Sequence, residues 1–354
     1  MKISHNFYLN LAFNLAEKNL GKTRKNPSVG CVIVKNNAVI SSGVTSIDGR
    51  PHAEYNALNK KINFSGSNMY VTLEPCTHFG VTPPCTDIIK RKKIKKVYYS
   101  FKDPDIRTFN KAKSVLKKVS KINKIKTQNE NFYESYILNK LKKSPLIDAK
   151  LAVSKDFFTI NKTSRWITND KSRHVAHFIR SKYDCIVSTS KTINKDNSLL
   201  NCRLEGFNNF KPDLIIIDKN LKLKRKLKLF SLVNKRKTYI FTSRNNQKKI
   251  NYFKKKRIKI IKINKLQLKE DFKFFFKKIF ELGYGRVLIE TGLIFLNELI
   301  KFKFINELYL FQSNILLRNR GYNNANLKLL KKLKLGNSLK VNLKNDKLFK
   351  IRVK

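Results

Sequence analysis

Apolar positions recur along this chain in two rhythms, and the switches between them mark out the elements. Residues 29–43, VGCVIVKNNAVISSG, read as an apolar run, an Asn-Asn turn and a second apolar run, which predicts a β-hairpin. Helical spacing begins at His52 and continues through residues 53–61. A short apolar strand is expected over 69–73, a helix over 85–92, a strand over 97–101 and a helix over 111–118. This alternation predicts a mixed α/β layer fold. The stretch 117–131 is polar and rich in Lys and Asn, and reads as a connector. Residues 132–143 regain a short helical pattern.

Beyond Ser144-Pro145, a plausible border, the pattern restarts. Strands are expected over 147–154, 184–190, 214–218, 238–243, 258–263, 286–291, 307–313 and 348–354, with helices over 169–182 and 292–302. The strands are apolar throughout rather than alternating, as parallel strands buried on both faces are. No G-x-G-x-x-G follows any of them, so the usual dinucleotide fingerprint is missing, and no internal repeat is visible. A length of 354 residues suits two α/β domains, over residues 1–143 and 144–354.

Composition adds limits. Hydrophobic residues make up 41% of the chain, enough for real cores. No apolar run reaches the roughly 18 residues of a membrane span. Polar Asn10, Asn14 and Glu17 interrupt any signal-peptide core near the N-terminus. With five cysteines, an odd count, this predicts a reducing cytoplasm and no disulfide framework. Net charge is +53, from 77 Lys and Arg against 24 Asp and Glu. A nucleic-acid surface is one reading. The charge is spread from end to end, however, and Lys, Asn, Ile and Phe are all abundant, which points to an A/T-rich coding bias. No nucleic-acid partner is therefore expected, and the field would also serve an anionic small molecule.

The chemistry concentrates in Pro51-His52-Ala53-Glu54 and in residues 73–85, LEPCTHFGVTPPC. His52, Cys76 and Cys85 offer three protein ligands to one zinc ion per chain, leaving a fourth tetrahedral position open, the mark of a catalytic site. Glu54 need not ligate and is placed to move protons. His52 and Cys85 should both open helices, where the dipole favours a thiolate. The order H-x-E…P-C…C is that of zinc-dependent nucleobase deaminases.

Most such deaminases place two residues between the cysteines; here there are eight, with His78-x-Gly80 and Thr82-Pro-Pro-Cys85. That spacer resembles the bifunctional deaminase–reductase family of riboflavin biosynthesis. So do the segment Asn26-Pro-Ser-Val-Gly30, the pair Asp103-Pro104, and, in order, residues 150–156, 164–168, Arg180, 192–196, 199–203 and 290–292. The resemblance implies a cytidine-deaminase-like N-terminal domain and a dihydrofolate-reductase-like C-terminal domain. It implies deamination of a phosphorylated pyrimidine, followed by NADPH-dependent reduction of its ribosyl group. Asn26 would touch substrate in the first site. Ala152, Trp166, Thr192, Asp196 and the segment from Gly292 would touch NADPH. Ser164, Arg180, Leu200, Arg203 and Glu290 would touch substrate in the second site, with Arg180 and Arg203 suited to gripping phosphate. Trp166 could instead be a core residue.

Several positions depart from the family pattern. A usual glycine after Asp156 is Phe157, another is Thr291, and a frequent serine after Asp218 is Lys219. In the first half a usual histidine is Thr45, an arginine of the spacer is Val81, and later glycines are Asn110 and Ala112. None of these removes a zinc ligand or Glu54. A deaminase with an impaired reductase half, and a basic RNA- or tRNA-editing deaminase, stay open as alternatives, and homo-oligomerisation is not decided.

Overall fold

The computed structural model describes residues 4–207, 212–328 and 332–353. It divides into two compact units, Met1–Ser144 and Pro145–Lys354.

In chain order the first unit contains α1 (His5–Glu17), β1 (Gly30–Lys35), β2 (Ala38–Val44), α2 (Ala53–Leu58), β3 (Asn68–Leu73), α3 (Cys85–Arg91), β4 (Lys96–Phe101), α4 (Ala112–Leu116), β5 (Lys121–Lys124) and α5 (Glu134–Ile137). The hairpin turns where expected: Asn36 and Asn37 both take left-handed φ angles, 51° and 62°, which a two-residue turn between twisted strands demands. The sheet order is β2-β1-β3-β4-β5, with β1 antiparallel to both neighbours and β3, β4 and β5 parallel. Side chains alternate across it. Cys31 and Ile33 of β1, with Met69 and Val71 of β3, face a core shared with α2 and α3. Val32, Val34 and Tyr70 face α1 on the other side. Strand β5 lies within the stretch read as a connector. It is an edge strand with one buried side chain, Ile122, so it carries no periodic apolar signal.

The second unit contains β6 (Leu146–Val153), β7 (Ile160–Asn161), α6 (Asp170–Arg180), β8 (Cys185–Thr189), α7 (Ser190–Asp196), β9 (Asp213–Ile217), β10 (Thr238–Thr242), α8 (Gln247–Lys255), β11 (Lys259–Lys262), α9 (Lys269–Glu281), β12 (Arg286–Ile289), α10 (Leu293–Lys301), β13 (Glu307–Gln312), β14 (Gly321–Tyr322) and β15 (Lys347–Arg352). All eight strands expected here form one sheet, ordered β11-β10-β9-β8-β12-β6-β13-β15; Lys354, the last residue of the expected final strand, lies outside the described residues. Only β15 runs antiparallel to its neighbour. Helices cover both faces. Helices α9 and α10 pack on Ile147, Val187 and Ile215, while α6, α7 and α8 pack on Ile186, Leu214 and Ile216. Successive residues of each strand thus enter opposite cores, which explains the continuous apolar runs. Among the described residues no helix is long and apolar enough to cross a membrane, and all five cysteines are free thiols.

Candidate active sites

His52 caps the N-terminus of α2, Cys85 is the first residue of α3, and Cys76 lies three residues past the end of β3. Sheet and helices thereby bring together three side chains from distant parts of the sequence. His52 Nδ1 lies 3.7 Å from Cys76 Sγ and 3.4 Å from Cys85 Sγ, and the three ligand atoms are all within 4.8 Å of one another. Metal–ligand lengths of about 2.1 Å to nitrogen and about 2.3 Å to sulfur, at tetrahedral angles, put nitrogen and sulfur about 3.6 Å apart. The donor set therefore fits zinc. It is the single group of three or more metal-binding side chains among the described residues.

Glu54, in the first turn of α2, is 4% exposed and lies beside this cluster. Burial, reinforced by the charge of Cys76, pushes its carboxyl up to about 7. A hydrogen bond links the two thiols. The hydrogen bond from Cys85, helped by His52 and the Cys85 backbone N–H at 3.2 Å, holds Cys76 down to about 4. Cys85, as the donor and fully buried, is pushed well up. A divalent cation displaces such a proton and turns both sulfurs into thiolates.

The walls come from neighbouring loops. Glu74 accepts the backbone N–H groups of Asp103, Asn110 and Ala112 at 3.2–3.3 Å, tying the 103–112 loop to the strand end that carries Cys76. Asn110 adopts φ 59°, a region asparagine tolerates, so the missing glycine is accommodated. Buried Thr45 accepts the Val29 N–H through its hydroxyl and joins β1 to the end of β2. Asn26, half-buried, packs against Gly49: a Cβ there would sit 2.2 Å from Asn26 Nδ2.

In the second unit a cavity of about 920 Å³ opens at the C-terminal ends of β8 and β9 and the N-termini of α7 and α10. This is where parallel α/β sheets take ligands. Ser164, Thr192, Asp196 and Gly292 line it. Thr192 Oγ1 accepts the Gly292 N–H at 3.2 Å and so clips α7 to the start of α10. Ala152 is the β6 neighbour of Leu151, which lines the cavity, but packs towards the opposite core. Trp166 is not a core residue. It is 49% exposed, with the guanidinium groups of Arg165 and Arg173 at 4.8 Å and 4.7 Å from the ring centroid.

The phosphate grip expected of Arg180 is occupied by protein. Its Nε and one terminal nitrogen bind the two carboxylate oxygens of Glu290 at 2.6 Å and 2.9 Å, and the other donates to the Asn201 carbonyl. The pair is 12% and 9% exposed. Arg203 is exposed, and one of its terminal nitrogens donates to Asn201 Oδ1. The Leu200 side chain is buried in the core and its carbonyl accepts from the buried Arg236 guanidinium at 2.5 Å; its φ is 47°. Sequence reasoning missed Lys150. Burial lowers its amine below the ordinary range, with the charge of Glu290 opposing. The signal was available, since Lys150, with Asp148, interrupts the mainly apolar strand β6. Phe157 keeps a left-handed φ of 65°. Its loop is over-determined, because Asp156 accepts the Leu317 and Arg318 N–H groups and Asn323 donates to the Phe157 carbonyl.

Known proteins bear on both units. Residues 2–101 match the model of the cytidine and deoxycytidylate deaminase zinc-binding region, and residues 145–341 match that of the RibD C-terminal domain. The riboflavin biosynthesis protein RibD of Aquifex aeolicus is 32% identical over 317 residues, covering 86% of this chain and 85% of that protein. RibD of Buchnera aphidicola is 32% identical over 329 residues, covering 88% of each. A Thermotoga maritima structure described as a diaminohydroxyphosphoribosylaminopyrimidine deaminase/5-amino-6-(5-phosphoribosylamino)uracil reductase superimposes with a TM-score of 0.83 at 25% identity, over 98% of both chains. An Acinetobacter baumannii RibD shares the fold, with a TM-score of 0.82 at 23% identity. The chain belongs to the RibD family, the bifunctional zinc-dependent deaminase and reductase of riboflavin biosynthesis.

Proposed function

We propose that the first unit hydrolyses the 2-amino group from 2,5-diamino-6-ribosylamino-4(3H)-pyrimidinone 5′-phosphate. The second unit then reduces the ribosyl group with NADPH, giving 5-amino-6-(5-phospho-D-ribitylamino)uracil. The observation that carries the reading is the cluster of His52, Cys76 and Cys85 with tetrahedral spacing and the buried Glu54 beside it.

Zinc held by those three side chains supplies a Lewis acid that makes water a competent nucleophile near neutral pH. Glu54 takes the proton of the attacking water, delivers it to the ring nitrogen, and serves the departing ammonia in turn. Its burial suits this shuttle, because a carboxyl raised to about 7 exchanges protons readily near neutrality. The half-buried Asn26 amide serves as a substrate contact on the rim.

In the second unit NADPH supplies the hydride. The cavity suits a long anionic cofactor: the backbone N–H groups at the start of α10, capped by Gly292, point towards it, and Lys191, Lys195 and Lys219 line its wall. Thr192, Asp196 and Trp166 bind cofactor. Ser164, Arg203 and Glu290 contact substrate, and Arg180 holds Glu290 in place. Five free thiols support a reducing cytoplasmic setting.

The test is Glu54→Gln. Ammonia release should fall by about a hundredfold or more while zinc content stays at one per chain. A variant that keeps its ammonia release would remove Glu54 from the mechanism.

A further inference from the structure

The deaminase site needs a cation for the anionic end of its substrate, and the sequence does not provide one in the place where the family pattern puts it. No lysine or arginine occurs between Cys76 and Cys85. Val81, at the position of the family's arginine, is apolar and 84% exposed.

The structure supplies a guanidinium from another loop. Arg50 NH1 donates to Thr82 Oγ1 at 2.7 Å, which fixes the side chain against the spacer. The same nitrogen lies 3.4 Å from His52 Nε2. With Nδ1 turned to the metal, both of these nitrogens are donors, so the contact places the guanidinium beside the cluster without satisfying it. Gly80 lies beneath: a Cβ there would be 3.7 Å from the other terminal nitrogen of Arg50.

Neighbouring cations are committed elsewhere. Arg24 pairs with Asp48 at 2.6 Å, while Arg107 and Lys140 both pair with Asp105, at 2.6 Å and 2.9 Å. Arg50 has no carboxylate partner among the described residues. The loop that carries it is set by close packing. Gly49, with φ 91°, rests on Asn26 where any Cβ would clash. Asn26 and Arg50 therefore share one rim of the site, and the Asn26 side-chain amide makes no hydrogen bond among the described residues.

We propose that Arg50 is the phosphate-binding residue of the deaminase site, replacing across the rim a cation that the spacer lacks. A phosphorylated pyrimidine would place its ring at the metal cluster and its phosphate on the unpaired face of the guanidinium, with Asn26 beside it. A guanidinium suits this role because its planar fork meets two phosphate oxygens at once. The proposal rests on the deaminase reading above.

The experiment measures ammonia release by the full-length zinc-loaded protein, using the phosphorylated substrate and its dephosphorylated counterpart, for wild type, Arg50→Gln and Arg50→Lys. Arg50→Gln should raise KM for the phosphorylated substrate about tenfold or more, the scale of one charge-assisted hydrogen bond, with a smaller loss in kcat. Arg50→Lys should recover part of that loss. KM for the dephosphorylated substrate should hardly change, and zinc content should stay at the wild-type level. An equal effect on both substrates, loss of zinc, or an unchanged KM would overturn the proposal. A wild type that releases no ammonia would sink the deaminase reading itself, and this proposal with it.

Discussion

Glu290 is 8% exposed, and its two carboxylate oxygens accept from Nε and one terminal nitrogen of Arg180. Burial alone would raise its pKa; the charge and hydrogen bonds of Arg180, with Lys150 adding, win and bring it to about 2. A carboxylate depressed in the fold stabilises above its ordinary value, near 4.5, and that stability drains away as pH falls from there towards 2. His177 acts in the same direction. Burial, then the charges of Arg180 and Arg203, lower it from 6.5 to about 4, so the fold resists its protonation and loses stability as pH falls across that window. Thermal melts of the second unit should therefore drop steeply on acidification. Glu290→Gln should cost about 3 kcal/mol near neutrality, because it strands a buried guanidinium, and should flatten the acid limb of the profile. An acid limb as steep as wild type would contradict this account. The clustering of His52, Cys76 and Cys85 was legible because metal chemistry restricts both residue types and order. The Glu290–Arg180 pair was not, since its partners lie 110 residues apart and nothing local in either segment announces the other. Arg50 was hidden for the same reason, with Thr82 on a separate loop.

At the scale of elements, the site depends on how closely β2 and α2 approach. A Cβ on Gly43 would lie 2.3 Å from the Ala53 carbonyl oxygen and 2.5 Å from the Ala57 backbone nitrogen. Gly43→Ala must therefore push α2 outward, and with it His52 and Glu54. Overpacking of this kind costs about 1–3 kcal/mol. The expected result is lower zinc affinity and lower ammonia release, with NADPH binding unchanged. Zinc affinity equal to wild type would show that α2 is free to shift without moving the site. Strong local rules made many elements legible: the Asn-Asn turn set the hairpin, and unbroken apolar runs gave the buried strands of the second sheet. The polar edge strand β5 escaped because one buried side chain leaves no period to read. Helix α9 was missed although its signal was present: Phe272, Phe275, Phe276, Ile279 and Phe280 recur at helical spacing and face the core. The departures from the family pattern look different in the fold. Thr291 has no left-handed φ to relieve, and Asn110 takes one at little cost; Phe157 alone keeps strain at a former glycine.

For the whole molecule, two units with separate cores imply separable activities. Chelating the metal should stop ammonia release and leave NADPH oxidation intact when the deaminated intermediate is supplied; loss of both would show that the halves depend on one another. The net charge of +53 bears on partners and not on fold. In the proposed sites, Arg50 and the cavity lysines Lys191, Lys195 and Lys219 are the cations offered to an anionic substrate and cofactor. The central claim is that two successive reactions run on one chain. It is tested most directly by giving the purified protein the diaminopyrimidinone phosphate, with and without NADPH, and following ammonia and the ribityl product together. The account predicts ammonia in both cases, and NADPH oxidation that trails ammonia release and ends with one ribityl product per ammonia. Ammonia without any NADPH oxidation, or NADPH oxidation that precedes deamination, would contradict it.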